Sequence, residues 1–493
     1  MTNTSREATQ VLDLIIQDAE ENKYGLKRTI GGFSLTALGV AAVVGAGIFV
    51  VTGHAAAEHA GPAVFISFII AAIVATFAAL CYAELAAMIP LSGSTYSYAY
   101  ASMGTLIAWI IGWDLLVEYL FGAANVANGW SGYFTDVLHQ AGINIPEALT
   151  TAPVGTDNPG IVNLPAVVLV LVLTGLLLFG VSETAKTTTL FVAIKLITLA
   201  IFVGFGIFAV TRENYVPLIP ANEGSFGAFG WTGIIAAAGT VFYAYISFDA
   251  VCTAAQEVKD PAKNLPRGIL GSLGIATGIY VLVGIVLVGL VPYAVLNTSN
   301  PLSTALEGAD LTRIGMIVDI GAVIGLAASV LALLYGQTRI MMRMSEDRMF
   351  PAAVGKASAK RGTPTMAILI CGTFAAILAG VLPLSILTEM ISIGTLLAFV
   401  IVSIAVIVLR KTRPDIERPF KVPFGPVIPI LAIITSLIVM FTLPGETWLR
   451  LGIWLLIGLG VYYAYSRKHS KAKLDERFSR ATGHAPDEIS PSE

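Results

Sequence analysis

The stretch VVGAGIFVVTG, residues 43–53, lies in the first strongly apolar segment of the chain. Gly45, Gly47 and Gly53 stand where a helix crossing a membrane favours alanine or leucine. A glycine in a helix interior costs about 1 kcal/mol relative to alanine. Two readings account for them. In one, small residues let neighbouring helices approach closely. In the other, the helix unwinds at 45–47 and frees main-chain groups. The N–H groups that open the second half-helix then form an anion site, helped by the helix dipole. Unwound backbone at membrane depth survives only where it lines a cavity or is covered by protein.

Composition sets the frame for that choice. Of 493 residues 56% are hydrophobic and only 12% are charged, against about a quarter charged in soluble domains. Many apolar runs exceed the ~18 residues needed to span hydrocarbon. They are continuous rather than alternating, so they describe helices and exclude a β-barrel. The net charge of −3 gives no sign of nucleic-acid binding. Cys81, Cys252 and Cys371 fall inside apolar runs with no CxxC spacing, which reads as buried thiols rather than disulfides or a metal site. Twelve spans are expected, near 30–57, 62–89, 104–138, 161–181, 187–210, 230–256, 266–291, 316–338, 365–381, 386–409, 425–443 and 447–466. We number them one to twelve.

An even number of spans puts both termini on one side. Of 29 Lys and Arg residues, 25 fall on the side of the N-terminus. Only Arg212, Arg313 and Arg450 fall on the other, and Lys195 lies within span five. The positive-inside rule then makes both termini cytoplasmic. Catalytic motifs are missing from the sequence. No Walker A, HExxH or GxSxG stretch occurs, and GxGxxG fails because position 50 is valine. The histidines are too dispersed for a metal cluster, and no cofactor is expected. An enzyme is not the reading.

Span six supports the unwound reading of span one. It contains YISFDAVC, with Asp249 inside an apolar run. A carboxylate in a span is expensive and usually functional. Interruptions five spans apart are the mark of a transporter built from two inverted repeats. Lys195, about 12 Å into span five at 1.5 Å per residue, is either a snorkelling side chain or an ammonium held inside the bundle. Asp114 and Glu118, four apart on span three, share a face. They read equally as selectivity or proton groups and as a structural polar patch.

The segments VGAGIFVVTG (44–53), FDAVCTAAQEVKDPAKNLPRGI (248–269), YGQTRIMMRMSEDRMFP (335–351) and RPDIERPFKVP (413–423) resemble, in order, the amino acid–polyamine–organocation superfamily. Within it they are most similar to bacterial members of the cationic amino acid transporter family. The resemblance covers about residues 25–466. It implies an all-α integral membrane protein of the LeuT-type fold. Its twelve transmembrane helices would be arranged as a 5+5 inverted repeat plus two extra helices, with helices 1 and 6 broken.

The implied organisation is a cytoplasmic N-terminal segment at 1–28, a transporter core at 29–410, helices 11–12 at 411–466 and a cytoplasmic tail at 467–493. The implied substrate contacts are main-chain ones. The carboxylate would meet Gly45, Ala46, Gly47 and Ile48, and the amino group would meet carbonyls of Val43, Tyr243 and Ile246. Asp249 and Glu118, carboxylates within spans, are the candidates for side-chain selectivity, and Tyr243, beside the span-six break, is the candidate gate. In proton-coupled relatives a lysine at the position of Lys195 stands in for a sodium ion, which implies partners near Ala41, Val44 and Ser329. The function implied is proton-coupled amino acid import across the cell membrane. The rivals are an amino acid or polyamine exchanger and a transporter-like amino acid sensor.

Overall fold

The computed structural model describes residues 30–89, 94–155, 159–179, 185–253, 258–356 and 363–470, with Ala255 and Ser358 besides. The expected N-terminal segment 1–28 and all but residues 467–470 of the expected tail 467–493 lie outside the described residues. Among the described residues the protein is helical, with no strand. The single β-bridge pairs Ile30 with Val258. Among the described residues six helices are long and apolar enough to cross a membrane, and four shorter apolar helices accompany them. Spans one and six are the exceptions, each built from separate short pieces.

Span one begins as the helix Gly32–Val43, breaks, and resumes at Gly47. The helical run 47–88 is divided at Gly61, whose φ of +58° lies outside the range an L-residue adopts in a helix. Span two follows as Val64–Met88, span four as Leu164–Leu178 and span five as Ala185–Gly206. Span six is Gly230–Val241 and then Ala250–Thr253, with irregular backbone between. Span seven is Pro261–Leu290 and span eight is Thr312–Glu346. Spans nine to twelve begin at Thr365, Leu384, Val427 and Gly445. Each follows a proline, a residue suited to helix starts because it lacks the N–H that a helix leaves unbonded there. Span seven starts five residues before its expected first residue, and Pro266 sits inside it without ending it.

Span three runs unbroken over 36 residues from Thr105 to Gln140, a length of about 54 Å. It carries a π-turn at Val117–Phe121, which the periodicity did not reveal. Span eight lies antiparallel against it. The register is read from contacts that progress steadily: Gly112 meets Met344, Gly336 meets Tyr119, and Gly122 meets Leu333. Further along, the Trp130 indole donates to the Val323 carbonyl at 2.9 Å. Span five packs on another face of span eight, where Thr198 lies over Gly321 and the Lys195 stem over Gly325. Small residues at 321, 325 and 329 form the groove that admits these side chains.

At the cytoplasmic end expected from charge, Glu84 closes span two and is fully engaged. It accepts from Arg410 Nε at 2.9 Å, from Arg410 Nη2, and from the Val422 amide at 2.7 Å. That ties span two to span ten and to the loop after it.

Candidate functional site

The break in span one comes at Val44 and Gly45. Val44 is extended, with ψ of 93°, and its amide makes the last bond of the first half-helix, to the Val40 carbonyl at 2.9 Å. Ala46 already has helical angles, and Gly47 opens a π-turn through Val51. A π-turn displaces the usual carbonyl partners, and here side chains make up the difference. Tyr133 of span three donates to the Phe49 carbonyl at 2.5 Å, and the Thr52 hydroxyl lies 3.1 Å from the Ile48 carbonyl.

The break in span six is longer. The helix tightens into a 3₁₀ turn at Phe242–Tyr245, Ile246 is extended, and Ser247 has φ of +72°. A left-handed serine costs on the order of 1 kcal/mol and is held only where surrounding contacts dictate it. The second half starts at Ala250.

The two breaks touch. A Cβ on Gly47 would lie 2.4 Å from the Ala244 Cα, so glycine there is what lets the backbones meet. Gly45 is different, because a Cβ on it would meet nothing closer than the Val43 carbonyl at 3.9 Å. One glycine closes a packing contact and the other leaves room for a side-chain carbon. Tyr280 of span seven joins the same two strands of backbone. Its hydroxyl lies 2.7 Å from the Val43 carbonyl and 2.8 Å from the Ala244 carbonyl, and its one hydrogen serves either.

Sequence reasoning missed Tyr280, although the signal was present. It is a lone tyrosine in the apolar run GIYVLVGIVLV, and a buried tyrosine hydroxyl almost always finds a partner. Val43 and Tyr243, expected to offer carbonyls to an amino group, stand at the two breaks. The Val43 carbonyl accepts from Tyr280, and the Tyr243 carbonyl accepts the Ile246 amide at 3.2 Å.

Asp249 is buried at the end of the span-six break. Its Oδ2 lies 3.4 Å from the Thr95 hydroxyl, which is 2.9 Å from the Tyr82 hydroxyl. The carboxylate is thus linked to the connector helix Ser94–Met103 and to span two. Glu118 occupies the π-turn of span three and interacts electrostatically with both Asp249 and Asp114. The three carboxylates therefore approach one another from spans three and six. Asp114 lies against Gly394 of span ten, and its Oδ1 is buried without a hydrogen-bond partner.

Lys195 is 6% exposed, and its ammonium donates to the Ser329 hydroxyl at 2.6 Å. Ala41 and Val44 sit at the end of the first half of span one; the Ala41 side chain lies outside the described residues. Among the described residues no group of His, Cys, Asp and Glu is placed to hold a metal ion.

Two broken helices meeting at glycine have the form of a transporter site. The comparison with known families decides its kind. The family profile described as "Amino acid permease" matches residues 30–459. The chain belongs to the amino acid permease family. This permease lies within the amino acid–polyamine–organocation superfamily, which implies the LeuT-type fold, and it is a multi-pass membrane transporter rather than an enzyme.

Among its relatives is the methylthioribose transporter of Bacillus subtilis (strain 168), 44% identical over 452 residues, covering 92% of this chain and 96% of that one. The branched-chain amino acid permease BcaP of the same organism is 44% identical over 463 residues, covering 94% and 97%. The cationic amino acid transporter 4 of Mus musculus is 35% identical over 388 residues, covering 78% and 60%.

Proposed function

We propose that this permease imports amino acids by proton symport through alternating access, with both termini in the cytoplasm. Residues 29–410 form the transport core of two inverted five-helix repeats. Residues 411–466 add helices 11 and 12, and 1–28 and 467–493 are cytoplasmic tails. The observation that carries the reading is the contact between the two breaks at Gly47 and Ala244, beside Gly45, where a Cβ would have room. There the substrate carboxylate meets the amides of Gly45, Ala46, Gly47 and Ile48, and the amino group meets carbonyls at Val43, Tyr243 and Ile246. Tyr243 gates the site. Glu118 and Asp249 act on the substrate side chain.

Recognition through main-chain atoms reads what all amino acids share, so side-chain preference rests on few residues. Relatives named for branched-chain and for cationic amino acids fit that division. Lys195 is the coupling group. Protonated, it ties span five to Ser329 and to the end of the first half of span one, near Ala41 and Val44. Neutral, it releases that tie, and a proton shifts the two states only through such a difference in affinity.

The test is uptake into proteoliposomes, with a panel of amino acids competing against labelled substrate, with and without a pH gradient. Accumulation rises with an inward proton gradient and is indifferent to sodium. Lys195→Met keeps substrate binding and loses accumulation driven by the gradient. Accumulation by Lys195→Met under ΔpH alone would remove the lysine from the coupling role. Flux only in exchange for internal amino acid would establish an exchanger, and binding without flux a sensor.

A further inference from the structure

Span three is clamped on two sides in its first turns. The Trp109 indole donates to the Gly458 carbonyl at 2.8 Å, and the Trp113 indole to the Trp454 carbonyl at 2.9 Å, both on span twelve. The Trp454 indole returns a bond to the Trp113 carbonyl at 3.2 Å. On another side Gly112 packs on Met344 of span eight. These contacts fix the roll of the helix about its axis. They also fix the direction of Asp114, nine residues past Thr105, or ~14 Å at 1.5 Å per residue.

Asp114 is directed into span ten. Its carboxyl lies against the main chain of Gly394, where a Cβ would come within 2.8 Å of Oδ1 and 3.7 Å of Oδ2. Glycine at 394 makes the room that the carboxyl fills. The residue is 2% exposed, and its Oδ1 is buried with no hydrogen-bond donor. Among the described residues no lysine or arginine forms an ion pair with it. The titratable groups around it bring no free positive charge. Span three supplies Glu118, one turn on, and span six supplies Asp249. Span ten has no titratable side chain between Glu389 and Arg410. Span twelve brings Tyr462, whose hydroxyl lies 3.3 Å from that of Thr105. On span eight Arg343 lies 3.6 Å from Asp347, and Lys195 of span five is engaged with Ser329.

A carboxylate that serves structure holds its place through donors, as Glu84 does with Arg410 and the Val422 amide. Asp114 Oδ1 has none. An ionised carboxyl buried without donor or cation is far costlier than the neutral acid, so the packed state favours the protonated form. We propose that Asp114 is a proton-binding residue, neutral while spans three and ten are packed, which passes its proton to water when the seam between them is wetted. Ionisation then leaves a charge that opposes repacking of the dry seam, and a proton taken up again allows it. The site rests on the transport reading for its use, where it adds a second titrating group to Lys195.

The test reads the proton itself and requires no flux. Infrared spectra of the full-length chain in liposomes are recorded in the C=O stretch region of protonated carboxyls, with exchange into D2O to identify them. The parent shows a component that Asp114→Asn loses and that Glu118→Gln and Asp249→Asn keep. Its amplitude falls by half or more between about pH 6 and about pH 9, as the carboxyl deprotonates. Asp114→Glu keeps an acid at the site, and Gly394→Ala presses on the carboxyl, so each shifts the component instead of removing it. Those two variants carry the assignment if Asp114→Asn does not fold. A spectrum unchanged in Asp114→Asn, or a component unshifted in both Asp114→Glu and Gly394→Ala, would overturn the proposal. So would a component of constant amplitude over the whole pH range, which would make Asp114 a permanently neutral packing group. The transport reading is judged by uptake and by Lys195→Met, which do not enter this spectrum, so either can fail alone.

Discussion

Gly45 and Gly47 are the same residue type two positions apart, and the structure separates their tasks. At Gly47 a methyl group would collide with the Ala244 main chain, which cannot yield as a flexible side chain would. Overpacking of that kind costs typically 1–3 kcal/mol. Gly47→Ala therefore lowers the unfolding temperature in detergent and weakens substrate binding together. Gly45→Ala meets nothing within 3.9 Å except a carbonyl, so it leaves the unfolding temperature near that of the parent while weakening binding of the carboxylate. Equal stability losses in the two variants would show that both glycines serve packing. Among the carboxylates, Asp249→Asn weakens basic substrates more than neutral ones if the group attracts a cationic side chain. Competition binding with lysine and alanine measures this, and an equal loss for both would make Asp249 structural, through Thr95 and Tyr82.

At the scale of elements, the two interrupted helices behave as one unit because a third element holds them. Tyr280 reaches from span seven to a carbonyl on each break. Removing the hydroxyl leaves those carbonyls without their donor, at a cost of about 1–3 kcal/mol for a buried unsatisfied group. Tyr280→Phe keeps the ring packing against Phe68 and Tyr245. The expected outcome is a lower unfolding temperature and weaker amino acid binding from a protein that still inserts. Unchanged affinity in that variant would show that the bridge does not shape the site. The π-turn in span three is a second element-scale feature. It places Glu118 near Asp249 and Asp114 while the helix continues unbroken to Gln140.

At the scale of the whole molecule, a buried polar contact ties span two to span ten and to the loop after it. Glu84 is buried beneath Arg410, with Arg418 Nε 3.8 Å away. Breaking a buried pair by removing one partner costs about 3–5 kcal/mol, since the other charge is left uncompensated. Glu84→Gln should thus destabilise the folded protein strongly, as measured by thermal unfolding in detergent. Replacing Glu84 and Arg410 together with apolar residues should recover much of the loss. If the double replacement is no better than the single, the Val422 amide contact rather than the charge pair holds the loop.

How much of this was legible in the sequence follows from what each signal depends on. Helical membrane character, the position of the apolar helices and the two interruptions follow from composition and local pattern, because each span must satisfy its own backbone hydrogen bonds in hydrocarbon. Lys195 and Asp249 stood out because a charge in an apolar run is costly wherever the run packs. What lay beyond reach were relations between residues far apart in the chain. Gly47 against Ala244, Tyr280 across two breaks, and Glu84 under Arg410 join positions separated by 36 to 326 residues. No periodicity carries such pairings. They arise when helices dock, and the docking is set by which small residues let which backbones approach. The sequence by itself determined that these helices cross a membrane and that two of them open. Only the tertiary structure decided what meets at the openings, because close packing depends on shape between helices and not on pattern within one.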